Sequence, residues 1–289
     1  MIDAPLIAGY CVELTRSSVI YRFVNSRRRL RVLLVCRAIG ASIWKGAAHR
    51  GIRRQIYAHE KGTAMKDIFL LDLDDTLFDF RRGEREQISD TLAHFGFSPT
   101  PRMAERFHEI NDGLWKGLER GEVTRERLLT LRFEMLFAEF DLTGDAALLR
   151  RHYFEGMSQR AYLMDGAKEF LAALGMRGRR YAVTNGSAFV QSRRLAAAGI
   201  DKDFDAVFVS EAMGYNKPSP AYAGYVKSHI PDFDCSRAVW VGDSLTSDMG
   251  CAQAMGVDFI LFRPGGRSAG YDGPFAQSYP QALALIDAM

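Results

Sequence analysis

The chain has 289 residues, of which 47% are hydrophobic and 25% charged, a composition ordinary for a globular enzyme of one large or two modest domains. Four widely separated cysteines without a C-x-x-C pair argue against a disulfide framework and favour a reducing cytosol, and no apolar run reaches the roughly 18 residues that a membrane-spanning helix needs. The formal net charge of +3 is uneven, because residues 1–64 hold twelve lysines and arginines against three acidic residues, whereas residues 65–289 hold 26 against 32.

Residues 1–64 are predicted to be a basic N-terminal extension outside the folded unit. They are rich in arginine and show no clear hydrophobic period. One interpretation is translation from a start codon upstream of the true one at Met65. The alternatives are a basic amphipathic segment on an anionic membrane and a nucleic-acid contact through the arginine cluster at 27–31. No aromatic residues interleave that cluster, and arginines interrupt the apolar stretch 30–44, so we expect neither a nucleic-acid partner nor stable membrane insertion.

From Met65 onward, short apolar runs bounded by turn signals predict buried parallel strands. These runs lie at 68–73, 181–184, 206–209, 238–241 and 259–262. Helical patterns separate them at 187–198, 220–229 and 247–255, and a glycine follows the first and the last of these helices. Strands that alternate with helices predict an α/β fold with a doubly wound, Rossmann-like and mostly parallel sheet.

The stretch 82–162 interrupts this alternation and is almost wholly helical in pattern. It is too long for a loop, so we predict an inserted all-helical domain, with Thr100 and Thr124 as helix N-caps. The predicted catalytic core is then made of residues 65–81 and 163–289, with hinges near 79–83 and 162–166.

Four polar motifs follow predicted strands, and we expect them to meet, because ligands of open α/β sheets bind outside the carboxyl ends of the strands. The motifs are DLDDT at 72–76, TNG at 184–186, NKP at 216–218 and GDSLTSD at 242–248. Their carboxylates would repel one another unless a cation neutralised them, and Mg²⁺ is the hard cation that suits such oxygen ligands. The predicted metal residues are Asp72, Asp74, Asp243 and Asp248.

The same motifs suit phosphoryl transfer. Lys217, the hydroxyl of Thr184 and the metal would stabilise the oxygens of a phosphoryl group. A free carboxylate at Asp72 can attack phosphorus and form an aspartyl-phosphate. Asp74 can protonate the leaving oxygen and then activate water.

With these motifs, residues 65–289 resemble the haloacid dehalogenase superfamily of phosphotransferases. The resemblance implies that Asp72 is the nucleophile and that Asp74 is the acid/base and gives its backbone carbonyl to Mg²⁺. It further implies a phosphate-binding hydroxyl at Thr184, a charge-balancing lysine at Lys217 and a direct metal ligand at Asp243. Asp248 would support the metal shell, and residues 82–162 would be the helical cap. The dehalogenase branch lacks the second aspartate of the first motif, so the presence of Asp74 favours a phosphatase.

Within the superfamily, DLDDTLFDF at 72–80 and the cap stretch 111–133 resemble the pyrimidine 5′-nucleotidase branch. The expected substrate contacts are Asn185 and Gly186 in the core, Asp79 at the hinge, and Asn111, Trp115 and Arg132 in the cap. We therefore expect a cytoplasmic, monomeric or homodimeric Mg²⁺-dependent phosphomonoesterase acting on a nucleoside 5′-monophosphate, preferably a pyrimidine. The alternatives are a phosphatase or phosphomutase for a sugar phosphate or phosphoglycolate, and a non-catalytic membrane-associated binding protein.

Overall fold

The computed structural model describes residues 65–266 and 270–289. Of residues 1–64 it describes only the backbone of three strands. These strands are β1 (Tyr10–Thr15), β2 (Ser18–Phe23) and β3 (Cys36–Arg37), which form an antiparallel sheet in this order. Two compact units divide between Thr63 and Ala64. The predictions made for residues 1–64, including the arginine cluster at 27–31 and the membrane and nucleic-acid alternatives, otherwise lie outside the described residues.

The second unit is built on a six-stranded sheet in which every pair of neighbouring strands is parallel, which confirms the predicted doubly wound α/β fold. The strand order is β6-β5-β4-β7-β8-β9. The strands are β4 (Ile68–Leu71), β5 (Arg179–Thr184), β6 (Ala206–Val209), β7 (Ala238–Gly242), β8 (Asp258–Phe262) and β9 (Phe275–Ala276).

The first strand of this sheet is shorter than predicted, because β4 ends at Leu71 and not at residue 73. The backbone N–H of Asp72 still donates to the carbonyl of Val241 over 3.0 Å, but the chain then turns back on itself, and Asp75 N–H bonds to the carbonyl of Phe78 over 2.8 Å. Asp75 has a φ of 57°, a left-handed conformation that aspartate tolerates better than most residues. The turn therefore begins within the acidic motif.

Helices cover both faces of the sheet, as the alternation of β4 requires, since successive side chains of a strand point to opposite faces. Phe69 and Leu71 belong to a buried cluster with α5 (Ala167–Gly175), α6 (Ala188–Ala198) and α10 (Tyr279–Ala288). Ile68 and Leu70 belong to a second buried cluster with α8 (Pro220–Ser228) and α9 (Ser247–Met255). The short helix α7 (Ser210–Met213) follows β6.

Four helices lie between β4 and β5, and we refer to them as the helical insert. They are α1 (Phe80–His94), α2 (Pro101–Glu119), α3 (Arg125–Glu139) and α4 (Ala146–Met157). Thr100 and Thr124 are N-caps as predicted, and each hydroxyl accepts a backbone N–H of the helix that it precedes. A third buried cluster, which includes Phe107 and Phe133, gives the insert its own apolar core. None of the helices in the described part of the chain combines the length and hydrophobicity that a bilayer span requires.

Candidate active site

The motifs meet at the carboxyl edge of the sheet because the register of its central strands aligns their ends. Leu71 of β4 pairs with Ala182 on one side and with Val241 on the other. Asp72 therefore leaves the sheet between Thr184, the last residue of β5, and the loop that begins after β7. Residues far apart in sequence share this edge, as we expected.

Three carboxylates and one lysine form the floor of the site. Asp72, Asp243 and Asp248 each place a carboxylate oxygen within 4.8 Å of the others. The Nζ of Lys217 donates to Asp72 Oδ1 over 2.6 Å, to Asp248 Oδ1 over 2.6 Å and to the carbonyl of Val183 over 3.1 Å. The Lys217 side chain is only 2% exposed, so its charge interacts with these acids in a largely water-free space.

The floor has three carboxyl groups and one ammonium group. Burial raises the pKa of Asp72 to about 8, although Lys217 opposes this shift. Burial, and next the charge of Asp72, hold the pKa of Asp243 well above its usual range. Burial alone would lower the pKa of Lys217, but Asp248 and Asp72 raise it well above its ordinary value. Further positive charge among these oxygens would favour the ionised carboxylates.

A hard divalent cation fits this donor set, because closely spaced carboxylate oxygens are the ligands that Mg²⁺ prefers. Asp72 and Asp243 are the carboxylates best placed to hold it. Asp248 is less free, since Oδ1 accepts bonds from Lys217 and from Trp240 Nε1, and Oδ2 accepts the N–H of Ser244 over 3.1 Å. This bonding is compatible with the supporting role expected for Asp248.

The absence of a side chain at Gly242 leaves room for the Asp248 carboxylate. A Cβ at Gly242 would lie 2.5 Å from both Cγ and Oδ2 of Asp248, far inside van der Waals contact. Only glycine allows the backbone at the end of β7 to approach this carboxylate so closely.

The side chain of Asp74 lies apart from the three clustered carboxylates and is held by α6. Its Oδ1 pairs with Arg194 Nη1, and its Oδ2 accepts Gln191 Nε2 over 2.7 Å. Arg194 is 1% exposed and its guanidinium lies 4.2 Å from the centre of the Phe78 ring. Any contribution of Asp74 to the metal site is therefore better made by its backbone carbonyl, as the resemblance implies, than by its carboxylate.

Thr184 is arranged to donate its hydroxyl proton. Its Oγ1 accepts the backbone N–H of Gly186 over 3.0 Å and Gln191 Nε2 over 3.0 Å. With these two bonds accepted, the single O–H is left for another acceptor, such as a phosphate oxygen.

Asn185 joins two of the motif loops. Its Nδ2 donates to the carbonyl of Lys217 over 3.0 Å, and its Oδ1 accepts the N–H of Lys217 over 2.8 Å. Asn185 and Gly186 both line the cavity described next, but the side-chain amide of Asn185 is engaged with the lysine loop. Its predicted substrate contact would have to use other atoms.

A cavity of about 420 Å³ lies above the floor and is bordered on the other side by the helical insert. Its volume falls in the range of pockets that hold small molecules, about 300–1,000 Å³. The insert contributes aromatic, apolar and basic side chains, and the core contributes the motif residues and the two α6 residues that hold Asp74. The lining residues from the insert include Trp115, Arg125, Leu129, Arg132, Tyr153 and Phe154.

A buried polar network holds Arg132 at the wall of this cavity. Asn111 Nδ2 donates to Glu84 Oε1 over 2.7 Å, and Asn111 Oδ1 accepts Arg132 Nη1 over 3.0 Å. Glu84 is also bonded to His108 Nδ1 at 2.6 Å. Within the described residues, Arg132 Nη2 and the hydroxyl of Tyr153 are buried without a hydrogen-bond partner. These two atoms of the insert, and Arg194 Nη2 of the core, are donors of cavity-lining residues that a ligand could satisfy.

The remaining predicted contacts are placed differently. Trp115 and Arg132 line the cavity, whereas Asn111 and Asp79 are not among its lining residues. Asn111 lies behind the wall and orients Arg132, and Asp79 accepts the N–H of Arg82 over 3.0 Å as the N-cap of α1. Direct substrate contacts by Asn111 and Asp79 stay predictions.

Among the residues of the site that the sequence reasoning missed, three bond across the site, namely Arg125, Gln191 and Arg194. All three lie on helices that the patterns located, and their partners are about 60 to 120 residues away in the chain. An arginine on a helix is usually a surface residue, and no local pattern distinguishes these from the others.

Residues 66–256 match the haloacid dehalogenase-like hydrolases, and the chain belongs to this family of hydrolases. It is 34% identical over 195 residues to the putative HAD-hydrolase YfnB of Bacillus subtilis, which covers 68% of this chain and 83% of YfnB. It is 31% identical over 196 residues to the pyrimidine 5′-nucleotidase PynA of Streptococcus pneumoniae, with the same coverage of 68% and 83%.

Two further comparisons agree with these. The chain is 28% identical over 185 residues to the pyrimidine 5′-nucleotidase YjjG of Escherichia coli, covering 63% of this chain and 80% of YjjG. The crystal structure of YfnB bound to magnesium, which is described as revealing interdomain movement, superposes with a TM-score of 0.73 at 30% identity. That superposition covers 77% of this chain and 99% of the YfnB chain.

Proposed function

We propose that this hydrolase is a Mg²⁺-dependent phosphomonoesterase that cleaves a nucleoside 5′-monophosphate, preferably a pyrimidine nucleotide, through an aspartyl-phosphate. The observation that carries the proposal is the floor of the cavity, where Lys217 Nζ lies 2.6 Å from Asp72 and the Asp72, Asp243 and Asp248 oxygens gather within 4.8 Å. A carboxylate beside a lysine and a metal-binding cluster is equipped to attack a phosphoryl group.

The proposed reaction has two steps. In the first, a carboxylate oxygen of Asp72 forms a bond to phosphorus, the bond from phosphorus to the ester oxygen breaks, and Asp74 gives a proton to the departing alcohol. In the second, water loses its proton to Asp74 and attacks the same phosphorus, which breaks the bond to Asp72 and releases inorganic phosphate. Lys217 and the Thr184 hydroxyl would hold the phosphoryl oxygens in both steps.

The bound Mg²⁺ would neutralise negative charge on the phosphoryl oxygens and on the buried carboxylates. Asp72 and Asp243, with the backbone carbonyl of Asp74, are the proposed ligands, and Asp248 supports them. The magnesium in the structure of YfnB supports this choice of cation, and the closely spaced oxygens of this chain supply suitable donors.

The walls of the cavity support a nucleotide as the substrate. Trp115 offers an aromatic face, and base–aromatic contacts are worth about 1–3 kcal/mol per base. Arg132 Nη2 and the Tyr153 hydroxyl are donors without partners, which suits the carbonyl oxygens of a pyrimidine base. The names of PynA and YjjG as pyrimidine 5′-nucleotidases favour the same substrate class.

A pair of aspartate variants tests the chemistry. D72N removes the proposed nucleophile but keeps the side chain's shape, so turnover should fall by about 10⁴-fold or more while the melting temperature is kept or raised. The matched control is D201N, because Asp201 is exposed in the short 3-10 helix Asp201–Asp203 and is not among the residues that line the cavity. Phosphatase activity of D72N near the wild-type rate would refute the nucleophile, and equal losses in D201N would show a general effect on folding.

A substrate panel tests the substrate class. UMP and dTMP should be hydrolysed with higher kcat/KM than AMP, ribose 5-phosphate or phosphoglycolate, and EDTA should abolish the activity until Mg²⁺ is restored. A strong response to a sugar phosphate beside a flat response to UMP and dTMP would replace the nucleotide by another phosphometabolite. It would leave the proposed chemistry intact.

A further inference from the structure

Arg125, the first residue of α3, reaches from the helical insert to two loops of the core. Its Nη1 donates to the backbone carbonyl of Asn185 over 2.8 Å. Its Nη2 donates to the hydroxyl of Ser210 over 2.5 Å and to the side-chain carbonyl of Asn216 over 2.6 Å. One guanidinium thus bonds to the loop after β5 and to the segment that follows β6.

Both core segments carry residues of the proposed chemistry. Asn185 follows Thr184 directly, and Asn216 precedes Lys217 directly. The two segments are also bonded to each other, through the paired hydrogen bonds between the Asn185 side chain and the Lys217 backbone. Arg125 therefore attaches the helical insert to one connected unit at the floor of the cavity.

The acceptors of Arg125 are all neutral, and no carboxylate in the described part of the chain is within ion-pair distance of it. Burial lowers the pKa of Arg125, and the more distant Glu211 opposes this shift. Trp115 lies beside the guanidinium, with its ring centre 5.1 Å away. The Arg125 guanidinium is partly buried and bonds only to neutral groups. Such bonds hold a charged side chain less firmly than a buried ion pair does, so this contact is suited to breaking and forming again.

The described residues contain other polar contacts between insert and core, which differ in kind: the backbone N–H of Arg81 donates to Asp75 over 3.2 Å, and the side chain of Glu119 bonds to Thr246. Arg193 of α6 pairs with Glu155 of α4 over 2.8 Å, but both side chains are more than half exposed. Exposed pairs of this type contribute little, about 0–1 kcal/mol. The Arg125 contact lies instead at the cavity, where a substrate would have to enter.

We propose that Arg125 is a latch that holds the helical insert closed on the floor of the site and so sets the fraction of molecules that are competent to retain substrate. This inference rests on the proposed phosphatase function only in requiring that the substrate binds between insert and floor. An apparent dissociation constant equals the intrinsic one divided by the competent fraction, so a weaker latch raises KM while the bound complex reacts as before.

The test compares R125A and R125K with R127A. Arg127 is a matched control on the same helix, because it is 51% exposed and pairs only at the surface with Glu134, over 2.6 Å. R125A should raise KM for the best substrate of the panel by about tenfold or more and change kcat by less than about threefold. R125K, which keeps the charge but not the forked donors, should lie between R125A and the wild type, and R127A should match the wild type.

Inhibition by inorganic phosphate separates a latch from a phosphate ligand. Phosphate needs only the core floor, so its inhibition constant should change by less than about twofold in R125A. A parallel rise of KM and of the phosphate inhibition constant would overturn the latch and place Arg125 on the phosphate itself. A fall in kcat with an unchanged KM would also overturn it.

Hydrogen exchange measured without substrate keeps the inference distinct from the proposed function. In R125A, the amides of residues 185–187 and 214–217 should exchange faster than in the wild type, and in R127A they should not. Equal exchange in R125A and the wild type would refute the latch even if UMP is hydrolysed. If these amides exchange faster in R125A but the protein hydrolyses no nucleotide, the latch is supported and the nucleotide is rejected as the substrate.

Discussion

Replacing Lys217 with methionine removes the positive charge at the centre of the site with little change in side-chain length. In the wild type its Nζ makes hydrogen bonds to Asp72, to Asp248 and to the carbonyl of Val183. The lysine is 2% exposed, and the two carboxylates are 7% and 1% exposed. Water cannot replace the ammonium group at such burial, so K217M leaves two buried acids without their partner.

The size of the effect follows from these bonds. K217M removes the bond to the carbonyl of Val183 and the two bonds to carboxyl groups. The two bonds between the ammonium group and a carboxyl group contribute about 1.5–3 kcal/mol each. That gives about 3–6 kcal/mol, which agrees with the cost of about 3–5 kcal/mol for removing one partner of a buried ion pair. We therefore expect K217M to lower the free energy of unfolding by about 4 kcal/mol in the absence of metal.

Urea denaturation in EDTA measures this loss, with K202M as the control because Lys202 is exposed. Mg²⁺ should reduce the loss, since a divalent cation would neutralise the carboxylates that the lysine leaves. Adding D248N to K217M should recover part of the stability, because no buried carboxylate at position 248 is then left without the ammonium group. A loss in EDTA below about 1 kcal/mol, or one equal to that of K202M, would refute the buried charge arrangement.

Three further predictions concern other parts of the fold. G242A should abolish activity and destabilise the protein, because its Cβ would lie 2.5 Å from the Asp248 carboxylate, and kinetics with a melting curve check it. Thr100→Ala should lower the free energy of unfolding by about 1 kcal/mol through loss of an N-cap, as urea denaturation would show. The hydrogen bond that His108 donates to Glu84 raises the pKa of His108, so the folded state keeps this proton to higher pH than the unfolded chain. That contribution is complete below pH about 6.5 and is lost as pH rises through the raised pKa, so unfolding measured from pH 6 to 9 should show a decline that H108Q lacks.

The sequence predicted those parts of the fold whose signals are local. Buried runs such as 238–241 stand out because every side chain of a central parallel strand is apolar. Strand β9 was missed because two residues carry no period, and its place is set by pairing with Leu261 and Phe262 of β8. The excess length predicted for β4 has a similar cause, since Leu73 is fully buried although it lies beyond the strand.

The candidate site divides in the same way. Asp72, Thr184 and Asp243 were found because each stands where an apolar run stops, and parallel strands bring such positions to one edge. No comparable rule predicts which residues of the helical insert border the cavity. Its helices could be located, but which of their faces borders the cavity depends on packing between α2, α3 and α4, and the roles of Asn111 and Arg132 depend on Glu84 in another helix.

The charge of the whole chain is a poor guide to the charge of its ligand. Residues 65–289 carry more acidic than basic side chains, yet the proposed substrate is an anion. The two facts agree once the charges are placed, because the carboxylates of the floor are paired with Lys217 and suited to a cation. Inside a partly buried site, the nearest few charges outweigh distant ones that water screens. Lys217 and a cation held at the floor would therefore let a domain whose acidic residues outnumber its basic ones bind an anion.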